Sequence, residues 1–257
     1  MIYHDYASIY DAIGQAAFAA TLAERILAAL PHRPRRVLDL ACGTGAAAFV
    51  FAAAGLRTVG VDRSPQMLAF AHARARAAGF AVTLIEADLR ALPSSPPAGP
   101  LLHQAALEPA SFELITCLYD SLNYLTVDHE LAQVLTSASY LLKPGGHLFF
   151  DLNTEHEFKT WTESDQVVYD DQGILVYNRL NYDPDRRLAT GHIGWFVRDD
   201  TGRWWPGSET HTERAWSDND VEAALAAAGL TLVTRRTPRW ELAPADAPRI
   251  VYHACKR

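Results

Sequence analysis

The stretch Val37-Leu38-Asp39-Leu40-Ala41-Cys42-Gly43-Thr44-Gly45 constrains the chain more than any other. Its first half is a short apolar run ending in a turn, the pattern of a buried parallel strand. Its second half is glycine-rich, so the backbone can turn sharply and a ligand can approach bare main chain. Ala46 to Ala54 follows without a polar side chain and reads as a buried crossover helix, closed by Gly55. Strand, glycine turn and helix together open a nucleotide-type site.

Two cofactor types use this geometry. Gly43-x-Gly45-x-x-Ala48 fits the looser dinucleotide pattern, with Asp62 as the ribose acid of an NAD-dependent oxidoreductase. Charge separates the readings. Asp39 lies inside the motif, Asp62 ends the next apolar run, and Asp88 follows Val82–Glu86. Three carboxylates around one pocket suit a cationic ligand carrying ribose hydroxyls and an adenine amino group. They repel a pyrophosphate in a partly dry cleft. S-adenosylmethionine has a sulfonium, an ammonium and no phosphate.

At this point the chain resembles the class I S-adenosylmethionine-dependent methyltransferases. The resemblance rests on Asp39-x-Ala-Cys-Gly43-Thr-Gly45, Gly60-Val-Asp62-x-Ser64-Pro-x-Met67-Leu68, Glu86-Ala-Asp88-Leu89 and Leu142-Lys143-Pro144-Gly145-Gly146, in the family's order. It covers most of the chain apart from Pro93–Pro109 and Glu155–Trp216. It implies an α/β fold with a doubly wound, seven-stranded mixed sheet, to which the alternating pattern of the later segment adds an antiparallel β insertion after strand five. It also implies cofactor contacts at Tyr10, Asp39, Ala41, Gly43, Gly45, Asp62, Arg63, Met67, Asp88, Leu89, Cys117 and Leu118. Met67 would pack against adenine, Asp88 would accept from its amino group, and Tyr10 would belong to an N-terminal lid. A non-catalytic cofactor-binding protein stays open beside the methyltransferase and oxidoreductase readings.

The 257 residues allow one elaborated α/β domain, drawn as 1–154 with 217–257, and an inserted β-meander, 155–216, as substrate roof. The net charge of −7 leaves no footprint for nucleic acid. Three widely spaced cysteines without a Cys-x-x-Cys point to a reducing compartment and away from zinc. No signal peptide or membrane span is expected, which places the chain in the cytoplasm. The oligomeric state is not legible.

Along the chain, Tyr3, Tyr6 and Tyr10 precede an alanine-rich helix from about Ile13 to Leu30. Thr58–Val61 is strand two, and Ser64 caps a helix that takes Pro65 in its first turn and ends at Gly79. Pro93–Pro109 carries five prolines and reads as an inserted loop, with His103 on its surface. Phe112–Cys117 is strand four. Thr126 caps the next helix, His147–Leu152 is strand five, and Thr154-x-x-Glu157 is a capping box. The alternating segment Gln166–Trp216 reads as three or four antiparallel strands. Ile174, Val176, Leu180 and Tyr182 share one apolar face, and Leu188, Thr190, His192 and Phe196 another. Ser217-x-x-Asp220 starts the last helix, and Leu230–Thr234 with Ile250–Cys255 forms an edge hairpin.

Ligands in open α/β sheets sit beyond the carboxyl ends of strands. The acceptor chemistry therefore belongs to Leu118-Tyr-Asp-Ser-Leu-Asn-Tyr-Leu125. Tyr119, Asp120 and His211 are the candidate catalytic groups, with His192 a further candidate base. Asn123, Tyr124, His192, Trp195 and Arg214 are candidates for the acceptor pocket. An Asp/Asn-Pro-Pro-aromatic tetrad, as nucleobase and glutamine-amide methyltransferases often carry here, is absent. The expected acceptor is a small molecule, methylated on nitrogen or oxygen by direct in-line transfer.

Overall fold

The computed structural model describes residues 3–95 and 106–257. Much of the Pro93–Pro109 loop, His103 included, lies outside them. Two sheets are present. The larger has seven strands: β1 Arg36–Leu40, β2 Arg57–Asp62, β3 Val82–Glu86, β4 Phe112–Cys117, β5 Leu142–Asn153, β10 Leu230–Arg236 and β11 Arg249–Lys256. Their order is β10-β11-β5-β4-β1-β2-β3. β1 pairs in parallel with both β2 and β4, so the chain winds outward in opposite directions from this point. Loops leaving β1 and β4 diverge there and open a crevice. β11 runs antiparallel to β5, which makes the sheet mixed, as expected.

Alternation along the central strands supplies both faces of the core. Leu38, Leu40, Ile115 and Phe150 pack with Leu131, Val134 and Leu135 of α5 (Glu130–Leu141) and with Val221 and Leu225 of α7 (Asp218–Ala227). Val37, Leu114 and Phe149 point the other way. They meet Leu22 and Ile26 of α2 (Ala16–Ala29) and Phe51 of α3 (Ala46–Ala53). The remaining helices are α1 (Ala7–Tyr10), α4 (Pro65–Ala78) and α6 (Glu155–Lys159). Among the described residues, no helix is long and apolar enough to cross a membrane.

The second sheet is a four-stranded antiparallel meander: β6 Ser164–Asp171, β7 Ile174–Asp183, β8 Leu188–Arg198 and β9 Trp204–Arg214. Its inner face holds Val176, Tyr182, Ala189 and Trp195, all buried. The two expected sets each share a face, and the faces are opposite ones. Val176 pairs with Trp195 and Tyr182 with Ala189, so Leu188, Thr190, His192 and Phe196 look outward.

Other local readings need correction. The expected first helix forms as α2 but starts at Ala16 rather than Ile13, because Gly14 adopts φ +83°, and a separate turn of helix, α1, precedes it. Thr126 does not cap α5. Its carbonyl accepts from Arg214, and the Glu130 side chain reaches back to the Val127 amide instead. The Thr154 hydroxyl donates to the Ala247 carbonyl and leaves α6 without a side-chain cap. Strand five starts earlier than expected, at Leu142, which pairs with Phe112. The capping box at Ser217 and Asp220 forms as expected.

Candidate active site

A cleft opens at the carboxyl ends of β1, β2 and β4, where ligands sit in open α/β sheets. Its floor is the glycine turn. Ala41 and Gly43 both have positive φ, +53° and +55°, and a Cβ placed on Gly43 would meet nothing within 4 Å. The main chain is therefore bare where it faces the cleft. Asp62 ends β2 and fixes the turn: Oδ2 accepts from the Gly43 amide at 2.8 Å and Oδ1 from the Ser64 amide at 2.8 Å. Burial raises its carboxyl, and these amides pull it partly back. Each oxygen keeps a lone pair free for a ligand hydroxyl. Met67, Ala87, Leu89 and Leu118 form an apolar wall, and Tyr3 and Tyr10 stand opposite.

β4 ends in a strained reversal. Tyr119 and Asp120 are consecutive left-handed residues, φ +64° and +52°, at a cost of about 1–3 kcal/mol each. Asp151 on β5 stabilises them by accepting both amides, at 2.7 and 3.1 Å. Arg249 on β11 bridges Asp151 and Asp120 at 2.8 and 3.1 Å. The Tyr119 side chain then lines the cleft, with its hydroxyl donating to Gln15.

Of the expected cofactor residues, Tyr10, Ala41, Gly43, Asp62, Arg63, Met67, Asp88, Leu89 and Leu118 line this cleft. Asp39, Gly45 and Cys117 do not. Asp39 lies beneath the turn, 2% exposed, accepting from the Thr116 hydroxyl at 2.7 Å. Burial pushes its carboxyl up to about 7. Gly45 starts α3 at φ +85°, and a Cβ there would stand 2.6 Å from the Phe49 ring, so packing requires this glycine. Cys117 is core. Three free carboxylates therefore do not ring the cleft, contrary to expectation. Asp88 is engaged by Arg90, whose Nε and Nη2 approach at 2.9 and 2.5 Å, and Arg90 and Arg63 also line the cleft. Of the three carboxylates, only Asp62 faces the cleft free of a salt bridge among the described residues.

The candidate acceptor residues separate more sharply. Tyr124 lines the cleft. Asn123 is a fully buried cross-link. Its amide donates to the Asn153 and Arg214 carbonyls and accepts from the Asn153 amide, tying the turn after β4 to β5 and β9. Arg214 holds the Thr126 carbonyl and Asp128 and lies over the Trp216 ring. Trp195 packs against Tyr6, away from the cleft. His192 bonds Thr210 on the outer face. Asp120 points to Asn153 and Arg249 rather than into the cleft.

His211, buried at 2% exposure, sits behind Tyr124. Tyr3 and Tyr124 hydroxyls lie 3.0 Å apart, and the Tyr124 hydroxyl is 2.8 Å from His211 Nδ1. His211 Nε2 stands 3.5 Å from Glu209 Oε2. A polar chain thus runs from the cleft into the meander. Glu209, His211 and Glu213 alternate on β9, a period-two signal placing them on one face. Sequence reasoning passed over Glu209 and Glu213 because charged residues in an alternating strand normally mark the solvent side. Tyr3 and Arg90 carry no such signal either, since nothing in their sequence neighbourhood shows the distant partners they meet.

The residues present fit S-adenosylmethionine. The open main chain at Gly43, the free lone pairs of Asp62 and the apolar wall match backbone approach, ribose hydroxyls and a purine. Comparison with known proteins agrees. Residues 37–146 match a family model described as a methyltransferase domain. A protein of Geobacillus sp. (strain WCH70) named as a methyltransferase is 26% identical over 224 residues, 87% of this chain and 85% of that one. An S-adenosylmethionine-dependent methyltransferase from Clostridium acetobutylicum superposes with TM-score 0.82 at 26% identity, covering 100% of this chain and 99% of the other. The SAM-bound amino pentose methyltransferase CalS10 from Micromonospora echinaspora gives TM-score 0.71 at 25% identity, covering 100% and 98%. These findings favour the methyltransferase reading over the oxidoreductase and non-catalytic ones: residues 37–146 match a methyltransferase domain, and the chain has the fold of the class I S-adenosylmethionine-dependent methyltransferases.

Proposed function

We propose that the chain methylates an oxygen or nitrogen of a small soluble acceptor held between the cofactor cleft and the meander. The observation that carries this reading is the Tyr3–Tyr124–His211 chain, which leads from the cleft wall into a buried imidazole. Asp62 and the Gly43 main chain hold the cofactor, with Met67, Asp88, Leu89 and Leu118 around its adenine and Tyr10 above it. The bound cofactor supplies a methyl group already activated by its sulfonium, so the protein's contribution is orientation and proton removal. With Nε2–H turned toward Glu209, Nδ1 is the basic nitrogen and the Tyr124 O–H donates to it. A proton leaving the acceptor passes to the Tyr3 oxygen. The Tyr3 proton moves to Tyr124, and the Tyr124 proton to His211 Nδ1. The resulting imidazolium faces the Glu209 carboxylate. The tyrosines end neutral, as burial demands: desolvation raises both phenols well above their ordinary range.

His211 thus acts as the catalytic base through Tyr124. Tyr119 shapes the acceptor wall, while Asp120, Asn123, Arg214, Trp195 and His192 act through structure or lie apart from the cleft. The meander, 155–216, is the roof over the acceptor. A small-molecule acceptor also accords with the amino pentose acted on by CalS10. The test is acceptor-dependent formation of S-adenosylhomocysteine across a panel of small amines, phenols and alcohols. The reading requires at least one turning over, with Tyr124→Phe and His211→Gln lowering kcat. Turnover on a protein or nucleic acid alone would refute it.

A further inference from the structure

We propose that Glu209 is a positioning residue that latches the N-terminal segment over the cofactor cleft and, by the same contact, completes the proton relay. The proposal rests on the relay described above and extends it to a group outside the cleft wall.

Glu209 lies on β9 with its side chain 9% exposed. It accepts from four consecutive main-chain amides. Oε2 takes Tyr3 at 2.5 Å, and Oε1 takes His4, Asp5 and Tyr6 at 3.0, 3.1 and 3.2 Å. Convergence of successive amides on one point is an anion-binding arrangement, and the left-handed Tyr3, φ +59°, begins it. Burial alone would raise this carboxyl; the His211 ring and the Tyr6 and Tyr3 amides outweigh it and hold it down to about 2. The carboxylate is therefore ionised wherever the segment is seated.

The segment so held carries Tyr3 and Tyr10, both on the cleft wall. Two further fastenings go to the cofactor domain. Ser64 Oγ donates to the Tyr3 carbonyl at 3.0 Å, and Asp11 accepts from Thr44 at 2.7 Å and from Arg74 at 2.8 Å. Among these three attachments only Glu209 reaches the meander and faces His211. Lifting the segment would strip the carboxylate of four donors and remove Tyr3, the first hydroxyl of the relay. Closure over the cofactor and assembly of the relay are one event, because one side chain serves both.

The experiment compares wild type with Glu209→Gln and Glu209→Ala. Hydrogen exchange is read at the amides of Tyr3, His4, Asp5 and Tyr6, without ligand and with S-adenosylhomocysteine. Dissociation of S-adenosylhomocysteine is followed by stopped flow, and kcat and KM are taken with an acceptor from the panel. Near-ultraviolet circular dichroism reports the Trp195–Tyr6 packing. In wild type the four amides should be protected as one group. In either variant their exchange and the release of S-adenosylhomocysteine should quicken by about tenfold or more, the scale of losing a charged hydrogen-bond acceptor. The acceptor kcat should fall by a larger factor than KM changes. Should Glu209→Ala fail to fold, the isosteric Gln variant and the wild-type exchange pattern carry the test. Unprotected amides in wild type, or unchanged exchange and release in a folded variant, would overturn the latch. Faster exchange and release with kcat unchanged would overturn its link to the relay. Failure of wild type to bind S-adenosylhomocysteine would instead refute the cofactor cleft.

Discussion

Asp39 to asparagine is the substitution whose consequence follows most directly from geometry. The side chain is buried beneath the glycine turn with the Thr116 hydroxyl as its hydrogen-bond donor at 2.7 Å. Burial, opposed by the Thr116 bond, raises its carboxyl from 3.8 to about 7. The native state therefore binds this proton more tightly than the unfolded chain does. Below pH 4 both states are protonated and nothing is lost. As pH rises from about 4 to about 7 the unfolded carboxyl ionises freely while the native one resists, so stability falls. Above 7 the penalty is complete, roughly 4 kcal/mol at about 1.4 kcal/mol per pH unit. Asparagine has the same shape, accepts from Thr116 and never ionises. Urea unfolding of both proteins at pH 5, 6, 7 and 8 isolates the effect, because Asp62, Asp151 and Glu213, also raised by burial, titrate in both. The advantage of Asp39→Asn over wild type should grow by roughly 2–3 kcal/mol between pH 5 and pH 8. A difference that stays constant with pH would refute the buried, unpaired carboxylate.

Other substitutions test the remaining structure. Asn123→Ala strands the Asn153 amide and two carbonyls in the core and should cost about 2–4 kcal/mol in chemical denaturation. Gly60→Ala places a Cβ 2.8 Å from Cys42 Sγ and 2.9 Å from Leu84 Cδ2, so thermal melts should show about 1–3 kcal/mol lost to overpacking. Tyr124→Phe breaks the hydrogen bond to His211 while leaving the ring, and His211→Gln removes the basic nitrogen. Each should lower kcat by about 10²–10⁴-fold in steady-state assays, the usual contribution of general base catalysis.

Much of the fold was legible because it is written in apolar periodicity. Val37–Leu40, Phe112–Cys117 and the α5 face follow their patterns closely, and Ser64-Pro65 and Ser217-x-x-Asp220 mark helix starts by local hydrogen bonding. Local rules failed where a distant partner outbid them. Thr154 had capping chemistry, but the Ala247 carbonyl claims its hydroxyl from elsewhere in the chain, and α5 starts at Glu130, too far on for Thr126 to cap. The cofactor cleft was readable at Gly43 and Asp62, where backbone geometry and one carboxylate are set by neighbours in sequence. Its charge was misjudged because Arg90 folds back onto Asp88, which spacing does not reveal. The relay was the least legible part. It joins Tyr3, Tyr124 and His211 across more than 200 residues of chain, through a strand whose buried face is ionic.

Binding of S-adenosylmethionine in the cleft above Gly43 and beside Asp62 underlies every functional step proposed above. Calorimetric titration of wild type and Asp62→Ala with S-adenosylhomocysteine, with NAD as the parallel ligand, tests it most directly. The structure predicts saturable one-site binding of S-adenosylhomocysteine to wild type and none of NAD. For Asp62→Ala it predicts affinity weakened by about 10²-fold or more, two charged hydrogen bonds being lost. Equal affinity in the two proteins, or binding of NAD in place of S-adenosylhomocysteine, would contradict it.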